Sequence, residues 1–405
     1  MVGASEITPG AAGRILIIAD DLTGTLDAAG PFCDHGFRVK AIVDPDAFPD
    51  KDDIEDAEVL AINTESRHLP PSDAVSRLES CLRQIDSRSF SFIFKKIDST
   101  MRGNVVVESA AAASYFSASS LCFAPAFPEQ GRTVRGGEVL VDNIPLSRTQ
   151  FVRDALSPAP SQLLTEIFGS SIFEHVVLIP AGEGVTPKSR SSTAFIFDSE
   201  DNSDLKRAAE FFVKDPKLNI LVGSSGVGSQ LARLLGENEL LKRSRKKVDR
   251  FLFVVGSRSE RAGLQIDEFS KEFKGAVVYA PDGVAPSGHL AIDRALVLAA
   301  ARGEVEKDSN AVANALAQSA LKIVEAAGVD AVFATGGDTA LAILRQAGAS
   351  VITLHGNLMP GIPMSSFEYC GRELTLITKA GGFGDANVFE RVIESSTQWE
   401  LNSNT

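Results

Sequence analysis

The chain has 405 residues, enough for two or three domains that each bury a core. Its 44% hydrophobic and 23% charged side chains are typical of globular proteins, and no run of eighteen apolar residues predicts a membrane span. A formal net charge of −13 excludes a general electrostatic attraction to nucleic acid or anionic lipid, so any bound anion must meet a local basic pocket.

The cysteines and the first residues indicate the compartment. The four cysteines lie far apart and the five histidines are not clustered, so neither a disulfide framework nor a zinc site is predicted. The first residues lack the basic and apolar regions of a secretion signal. We therefore expect a cytoplasmic protein whose residues 1–13 form a flexible tail.

In chain order, short β-branched runs alternate with alanine- and leucine-rich stretches of helical periodicity, which is typical of an α/β fold. Apolar runs predict strands at 14–19, 38–43, 59–63, 92–97, 121–126, 193–198 and 219–224. Helical spacing occurs over 71–87, 103–117 and 226–235. The segments 125–145 and 356–363 are rich in proline and glycine and are predicted as long connections.

A polar, basic stretch at 236–249 separates this series from a second one. The second series has predicted strands at 251–256, 276–280, 331–336, 350–354 and 374–379, with helices from about 259 and over 310–327 and 338–347. The prediction is two domains, 14–238 and 239–405, each a mainly parallel sheet flanked by helices.

The first candidate site follows the first strand, because open α/β sheets bind ligands beyond the carboxyl ends of their strands. Asp20 and Asp21 end that strand, where a carboxylate could accept a hydroxyl proton while its neighbour orients the alcohol. The alternative is that Asp21 or Thr23 only caps the next helix.

A second candidate is the basic and hydroxyl-rich turn that begins at Lys95 and Lys96. A helix N-terminus with the hydroxyls of Ser99 and Thr100 and the fork of Arg102 could hold a carboxylate. The alternative is solvated lysines beside a capped helix.

A third candidate is the arginine- and glycine-containing loop 130–137. Arg132 there could close over a polar ligand. A surface hairpin is an equally good interpretation of this loop.

Three glycine-containing turns follow strands of the second series and suggest one phosphate-binding crevice. They lie at 256–259, 335–339 and 381–385. Neither the P-loop nor the dinucleotide fingerprint is present. Gly223–Gly228 superficially resembles a glycine-rich loop, but we favour close helix–strand packing or a domain interface for it. A hydroxyl and anion site in one domain and a phosphate site in the other is what a small-molecule kinase requires.

These motifs resemble the four-carbon acid sugar kinases over residues 14 to 390. The resemblance rests on IIADDLTGTLDAAG, KKIDSTMRGN, APAFPEQGRTVRGGEVLVDNIPLSRTQFVRDALSP, GSSGVG, VVGSRS, ATGGDTALAIL and TKAGGFGD. Departures from the family pattern are Met101 in place of leucine, VVVES at 105–109, and GGFGD.

The resemblance implies an acid-sugar-binding N-terminal domain, an ATP-binding C-terminal domain and an active site in the interdomain cleft. The implied reaction is ATP-dependent phosphorylation of the 4-hydroxyl of D-threonate, or else of erythronate or 3-oxo-tetronate. Mg²⁺ is expected to arrive with ATP, and no protein metal ligand is assigned. Asp20 and Asp21 are the expected catalytic and substrate residues; the other expected substrate contacts are Lys96, Asp98, Ser99, Arg102 and Arg132. The expected nucleotide contacts are Ser257, Arg258, Ser259, Thr335, Gly336, Gly337, Asp338, Thr339, Gly381 and Gly382.

Two other functions are weighed. A dehydrogenase would need glycines where the chain has Asp20 and Asp21. A non-catalytic sensor could keep both ligand sites without turnover, and the sequence leaves this alternative open. The expected partners are the acid sugar and ATP, without nucleic acid or membrane. A homodimer is an open expectation.

Overall fold

The computed structural model describes residues 13–154, 156–169, 173–183, 192–215, 218–236, 248–286, 288, 290, 292–300 and 308–397. The chain divides into two compact units, Met1–Leu240 and Leu241–Thr405. The domain boundary predicted at 238/239 and all but the last residue of the predicted tail lie outside the described residues.

Among the described residues of unit 1, eight of the eleven strands pair side by side in parallel. Its strands are β1 Arg14–Ala19, β2 Val39–Ile42, β3 Val59–Asn63, β4 Phe90–Lys96, β5 Ser120–Ala124, β6 Arg132–Arg135, β7 Glu138–Val141, β8 Ile144–Pro145, β9 His175–Ile179, β10 Thr193–Phe197 and β11 Leu218–Gly223. The sheet order is β2-β3-β1-β4-β11-β5-β10-β9, and β6-β7-β8 form a separate antiparallel sheet.

The helices of unit 1 form two groups. They are α1 Leu22–Asp34, α2 Pro71–Leu82, α3 Val105–Tyr115, α4 Leu164–Gly169, α5 Asn202–Lys214 and α6 Ser225–Leu235. Helix α6 contacts α1 and α5, whereas α2 contacts α3. Right-handed crossovers place α1 and α3 on opposite faces of the sheet, because the chain leaves β1 toward one edge and β4 toward the other. The adjacent strands β1 and β4 therefore flank a switch point, where such folds bind ligands.

Unit 2 repeats this design. Its strands are β12 Phe251–Val255, β13 Val277–Ala280, β14 Ala295–Ala300, β15 Ala331–Thr335, β16 Val351–Met359, β17 Ile362–Tyr369 and β18 Arg372–Lys379. Its helices are α7 Glu260–Glu272, α8 Ser309–Ala327, α9 Gly337–Ala347 and α10 Val388–Thr397. The strands pair in the order β13-β14-β12-β15-β18, and all five are parallel. Strand β17 pairs antiparallel with β18, and β16 pairs antiparallel with β17.

The core of unit 2 contains a cluster of phenylalanine rings. Phe253 on β12 lies within 5.7 Å, ring centre to ring centre, of Phe269, Phe333 and Phe389, which come from α7, β15 and α10. Such ring contacts stabilise beyond the area that they bury. They fix α7 and α10 against the strands whose ends carry the glycine turns.

The predicted α/β fold of mainly parallel strands flanked by helices is confirmed, and two connections are corrected. The segment 356–363 is not a loop, because β16 and β17 run through it and join at Pro360 and Gly361. The segment 125–145 contains the antiparallel sheet β6-β7-β8. Within the described part of the chain, no helix has the length and apolar character needed to cross a membrane.

Candidate active site

A single arginine holds both carboxylates that follow β1. Arg67 Nε and Nη2 donate to Asp20 at 3.0 and 2.8 Å, and Arg67 Nη1 and Nη2 donate to Asp21 at 2.8 Å each. Arg67 follows β3, the neighbour of β1, so parallel pairing brings the two loops together. Bidentate guanidinium–carboxylate pairs are the strongest side-chain hydrogen bonds. Arg67 is not among the residues predicted from the sequence, although it follows the buried strand VLAIN.

Burial and charge act in opposite directions on this cluster. Asp20 is 3% exposed, and burial alone would raise its pKa. The positive charges of Arg67, Lys95 and Lys96 outweigh this effect and lower the pKa of Asp20 below its usual value. Burial alone would lower the pKa of Arg67, but the charges of Asp20, Asp21 and Asp98 raise it well above its usual value. Asp20 is therefore an ionised, fully engaged carboxylate at neutral pH.

Asp21 also caps a helix. Its Oδ1 accepts a 2.9 Å hydrogen bond from Gly24 N at the start of α1. Asp21 is thus the N-cap of α1, but it does not only cap the helix, because it also pairs with Arg67. Thr23 lies inside α1 and is not the cap. Asp21 keeps 29% of its side chain exposed, so it is the member of the pair that a substrate can reach.

The turn after β4 differs from the helix start that the sequence predicts. Helix α3 begins at Val105, so Ser99, Thr100 and Arg102 precede it in a turn held by Asp98. Asp98 accepts from Arg102 Nε at 2.9 Å and Nη2 at 3.1 Å, and also from the Thr100 hydroxyl. Burial alone would raise the pKa of Asp98, but these hydrogen bonds and the charge of Arg67 lower it.

The fork of Arg102 is consequently occupied. Its remaining Nη1 faces Asp154 at 3.5 Å, so the predicted bidentate grip on a substrate carboxylate is not available in this arrangement. Asp98 and Arg102 instead support one another. Together they shape the turn that carries Ser99.

Gly103 allows this turn to lie against the Asp20–Arg67 ion pair. Its φ is +88°, and a Cβ placed there would lie 3.1 Å from both Asp20 Oδ2 and Arg67 Cγ. A side chain would therefore separate the two predicted acid-sugar motifs. The structure thus brings Asp20, Asp21 and Asp98 into one cluster.

Two buried lysines line the same strand end. Lys95 Nζ forms an ion pair with Glu108 Oε2 at 2.7 Å, and both side chains are buried. Lys96 is also buried, yet it has no hydrogen-bond or ion-pair partner within 4 Å among the described residues. Its Nζ would lie 3.0 Å from a Cβ on Gly24, at the start of α1. Lys96 is therefore a cation available to an anionic ligand.

Asp27 on α1 is a further carboxylate near Lys96 that the sequence analysis missed. Its Oδ2 accepts a 2.5 Å hydrogen bond from Ser225 Oγ on α6. Burial, with the nearby charge of Asp21, raises its pKa although Lys96 and Ser225 act the other way. Nothing in the sequence around Asp27 distinguishes it from a residue on a helix surface.

Arg132 lies on the hairpin β6–β7, so the hairpin interpretation of this loop is correct. Gly136 N and Gly137 N at its tip donate to Asp198 at 2.7 and 2.9 Å, which ties the tip to the end of β10. The Arg132 guanidinium donates to Gln130 O, and its Nε has no partner among the described residues.

The glycine turns of unit 2 do lie together. They follow β12, β15 and β18, which are neighbours in the sheet. Ser259 caps α7 and donates to Gly381 O at 2.9 Å, and a Cβ on Gly381 would lie 2.4 Å from Ser257 Oγ. Gly336, with φ +103°, caps α9.

The remaining predicted nucleotide residues occupy the same turns. Thr335 ends β15, Asp338 is exposed in the first turn of α9, and Thr339 is buried beside it. Arg258 follows Ser257, and Gly382 has open space where a Cβ would stand. Buried Gln265 is not among the predicted residues, yet its Nε2 donates to the carbonyls of Phe383, Gly384 and Asp385 at 2.9 to 3.2 Å.

The segment Gly223–Gly228 serves packing, as one of the two predicted interpretations holds. A Cβ on Gly223 would lie 2.3 Å from Ala124 O, and one on Gly226 would lie 2.8 Å from Ala126 O. A Cβ on Gly228 would lie 2.6 Å from Phe94 Cε1.

The described residues contain no cluster of three or more histidine, cysteine or acidic side chains suited to a metal ion.

Known proteins match this chain over almost its whole length. A family model described as a sugar-binding N-terminal domain matches residues 15–231, and a second, described as a nucleotide-binding C-terminal domain, matches residues 284–389. The D-threonate kinase of Bordetella bronchiseptica is 29% identical, with 94% of this chain and 96% of that protein aligned. The 3-oxo-tetronate kinase of Cupriavidus necator is 26% identical, over 93% and 95%.

A solved Salmonella typhimurium LT2 structure superposes with a TM-score of 0.77 at 20% identity, over 93% of this chain and 98% of that one, which shows the shared fold. The first family model alone spans more than half of the chain. The chain belongs to the four-carbon acid sugar kinase family and is a sugar-acid kinase.

Proposed function

We propose that this protein transfers the terminal phosphoryl group of ATP to the 4-hydroxyl of a four-carbon acid sugar, with D-threonate as the first choice. The observation that carries the proposal is the Asp20–Asp21–Arg67 cluster beside the uncommitted Lys96 at the switch point of unit 1. D-Erythronate and 3-oxo-tetronate are the alternatives, because one hydrogen bond can decide between such substrates.

The charges of unit 1 suit a small hydroxy acid. Arg67, Arg102 and Lys95 are each paired with carboxylates, which leaves Lys96 to attract the acid group of the substrate. Ser99 Oγ forms no hydrogen bond with a described residue and can serve as a second donor. Asp21, the more exposed of the two aspartates, is the proposed acceptor of the hydroxyl proton.

The turns of unit 2 fit the phosphates of ATP. The buried Thr335 Oγ1 lacks a partner among the described residues, and the glycines at 336 and 381 allow phosphate oxygens to approach backbone N–H groups. Mg²⁺ would be bound with the nucleotide and would neutralise phosphate charge. Because phosphoryl transfer depends mainly on positioning and charge, the proposed aspartate supplies a smaller part of the rate.

The substrate is tested by measuring ADP release with D-threonate, L-threonate, D-erythronate, L-erythronate and 3-oxo-tetronate, with D-glycerate as a shorter control. We expect the highest kcat/KM for D-threonate and little release with D-glycerate. A higher value for another tetronate transfers the assignment to that acid. Release with none of them contradicts the proposal.

The role of Lys96 is tested with Lys96→Met. Loss of a charge-assisted contact should raise the KM for the acid sugar at least tenfold, while the KM for ATP stays within about twofold. Lys40→Met, which removes an ammonium paired with Asp56, is the matched control. An unchanged KM for the acid would exclude Lys96 from substrate binding.

A further inference from the structure

Lys379 is a buried cation at the end of β18 that the activity described so far does not use. Its side chain is 1% exposed, and Nζ donates to the carbonyls of Ala380 at 3.2 Å and Gly381 at 3.3 Å. An ammonium has three N–H donors, so one remains uncommitted. No carboxylate of the described residues lies within 4 Å of it.

A second fully buried lysine, Lys95, shows what is missing. Lys95, near the end of β4, is neutralised by Glu108 at 2.7 Å. Buried charges are ordinarily paired in this way, because desolvation of an isolated ion is costly. Burial, with the charge of Arg261 nearby, lowers the pKa of Lys379 to about 8. Lys379 therefore lacks a counter-ion.

An unpartnered hydroxyl lies on the same face of the sheet. Thr335 is fully buried, and its Oγ1 has no hydrogen-bond partner among the described residues. Thr335 and Lys379 are paired in register on the parallel strands β15 and β18, so their side chains leave the sheet on the same side.

Main-chain contacts bring the helix N-termini to this pair. Gly336 N, at the start of α9, donates to Lys379 O at 2.9 Å. Ser259 Oγ, the cap of α7, and Lys379 Nζ both donate to Gly381 O. A buried cation, an orphaned hydroxyl and two helix N-termini thus converge, and each of them favours an anion.

We propose that Lys379 Nζ binds the phosphate groups of the nucleotide and that Thr335 Oγ1 donates a second hydrogen bond to them. This assignment rests on the proposed function and names the residues that neutralise the polyphosphate within unit 2. The nucleotide would then supply the counter-ion that the protein itself does not provide.

Calorimetric titration with ADP tests the assignment without turnover. Lys379→Met keeps the apolar stem and removes the charge, so we expect the Kd for ADP to rise at least tenfold. The melting temperature without nucleotide should stay equal or rise, because a buried unpaired charge is removed. Lys271→Met, which removes an exposed lysine paired with Glu268, is the control and should bind ADP like the wild type.

The outcomes separate this assignment from the proposed function. Tight ADP binding by both the wild type and Lys379→Met would overturn the role of Lys379 and leave the kinase proposal intact. A wild type that binds neither ADP nor ATP would overturn both. Inorganic phosphate should bind far more weakly than ADP, and equal affinities would overturn the assignment to a nucleotide.

A second variant, Thr335→Val, tests the proposed phosphate contacts if Lys379→Met does not fold. Thr335→Val preserves shape and breaks no hydrogen bond between described residues. It should leave the melting temperature unchanged and weaken ADP binding about threefold or more. Unchanged ADP affinity in this variant would overturn the proposal.

Discussion

Asp21 caps a helix and is also the proposed proton acceptor, two roles that are alternatives when only the sequence is considered. One carboxylate oxygen caps α1 and accepts from Arg67, while the other accepts only from the Arg67 guanidinium. A helix cap restricts the rotamer of the side chain, which is what a proton acceptor needs in order to meet a hydroxyl in a fixed position. The structural role therefore supports the proposed chemical role.

Asp21→Asn separates the two roles, because asparagine caps helices as well as aspartate does. We expect kcat to fall roughly 100-fold or more through loss of the proton acceptor. Asparagine keeps the cap but cannot accept the hydrogen bond that Asp21 Oδ2 takes from Arg67 Nη1, so the free energy of unfolding should fall by about 1–3 kcal/mol. Asp201→Asn alters the cap of α5 and is the control for folding. A kcat within about twofold of the wild type would exclude Asp21 as the base.

Arg67→Met tests the charge balance of the cluster. It leaves two carboxylates without their counter-ion, so the free energy of unfolding at pH 7 should fall by about 3–5 kcal/mol. Arg77→Met breaks an exposed pair with Asp46 and should cost about 0–1 kcal/mol. Urea denaturation measures both.

The pH dependence of the Arg67→Met effect follows from Asp20. In the folded wild type the pKa of Asp20 is lower than in the unfolded chain, where it is near 4. The ionised Asp20 therefore stabilises the fold at pH values above about 4, and this stabilisation is lost as the pH falls through the pKa of folded Asp20. Without Arg67, burial raises that pKa, so the deficit of the variant should be largest at pH 7 and shrink toward pH 4. A deficit independent of pH would contradict this electrostatic account.

At the residue scale, the sequence indicated the carboxylates but not their partner. Asp20 and Asp21 stand out because charge directly after a buried strand is costly unless it is used. Arg67 becomes their partner only because β3 pairs beside β1, and strand order is not encoded locally. Glu108, the acidic residue of VVVES, is a similar example. Its role becomes clear only when the structure shows it paired with Lys95.

At the scale of elements, close packing of α6 on β4 depends on a glycine. A Cβ on Gly228 would lie 2.6 Å from Phe94 Cε1, nearer than such contacts normally occur. The helix follows β11, and its N-cap Ser224 donates to Ala126 O at 2.5 Å, so it cannot shift without loss of that bond.

Gly228→Ala should therefore destabilise the protein by about 1–3 kcal/mol, the usual cost of overpacking. Gly169→Ala is the matched control, because nothing lies within 4 Å of its Cβ position. Thermal denaturation of both variants measures the difference. Equal melting temperatures would show that α6 moves freely on the sheet.

Most continuous apolar runs were correctly predicted as strands, whereas the hairpin strands β6, β7 and β17 and the parallel strands β9 and β14 were missed. The runs 14–19 and 59–63 match β1 and β3, because strands buried on both faces are continuously hydrophobic. Pro360 and Gly361 were interpreted as part of a long loop, but they form the turn between β16 and β17. Alanine-rich β14 was missed because its composition favours a helix.

At the scale of the whole molecule, the net charge of −13 is compatible with anionic ligands because the cations are local. Lys96 in unit 1 and Lys379 in unit 2 are both buried at strand ends without a carboxylate within 4 Å among the described residues. Each unit thus carries a buried cation at the carboxyl edge of its parallel strands. The interdomain active site, the homodimer and the cytoplasmic location stay predictions.

The central claim is that one chain moves a phosphoryl group from ATP to the terminal hydroxyl of a four-carbon acid. Phosphorus–proton correlated NMR of the product formed from D-threonate tests this most directly. We expect a new phosphomonoester whose phosphorus couples to the two protons on C4, with ADP formed in equal amount. A phosphorus coupled to the proton on C2 or C3, or hydrolysis of ATP without any sugar phosphate, would contradict it.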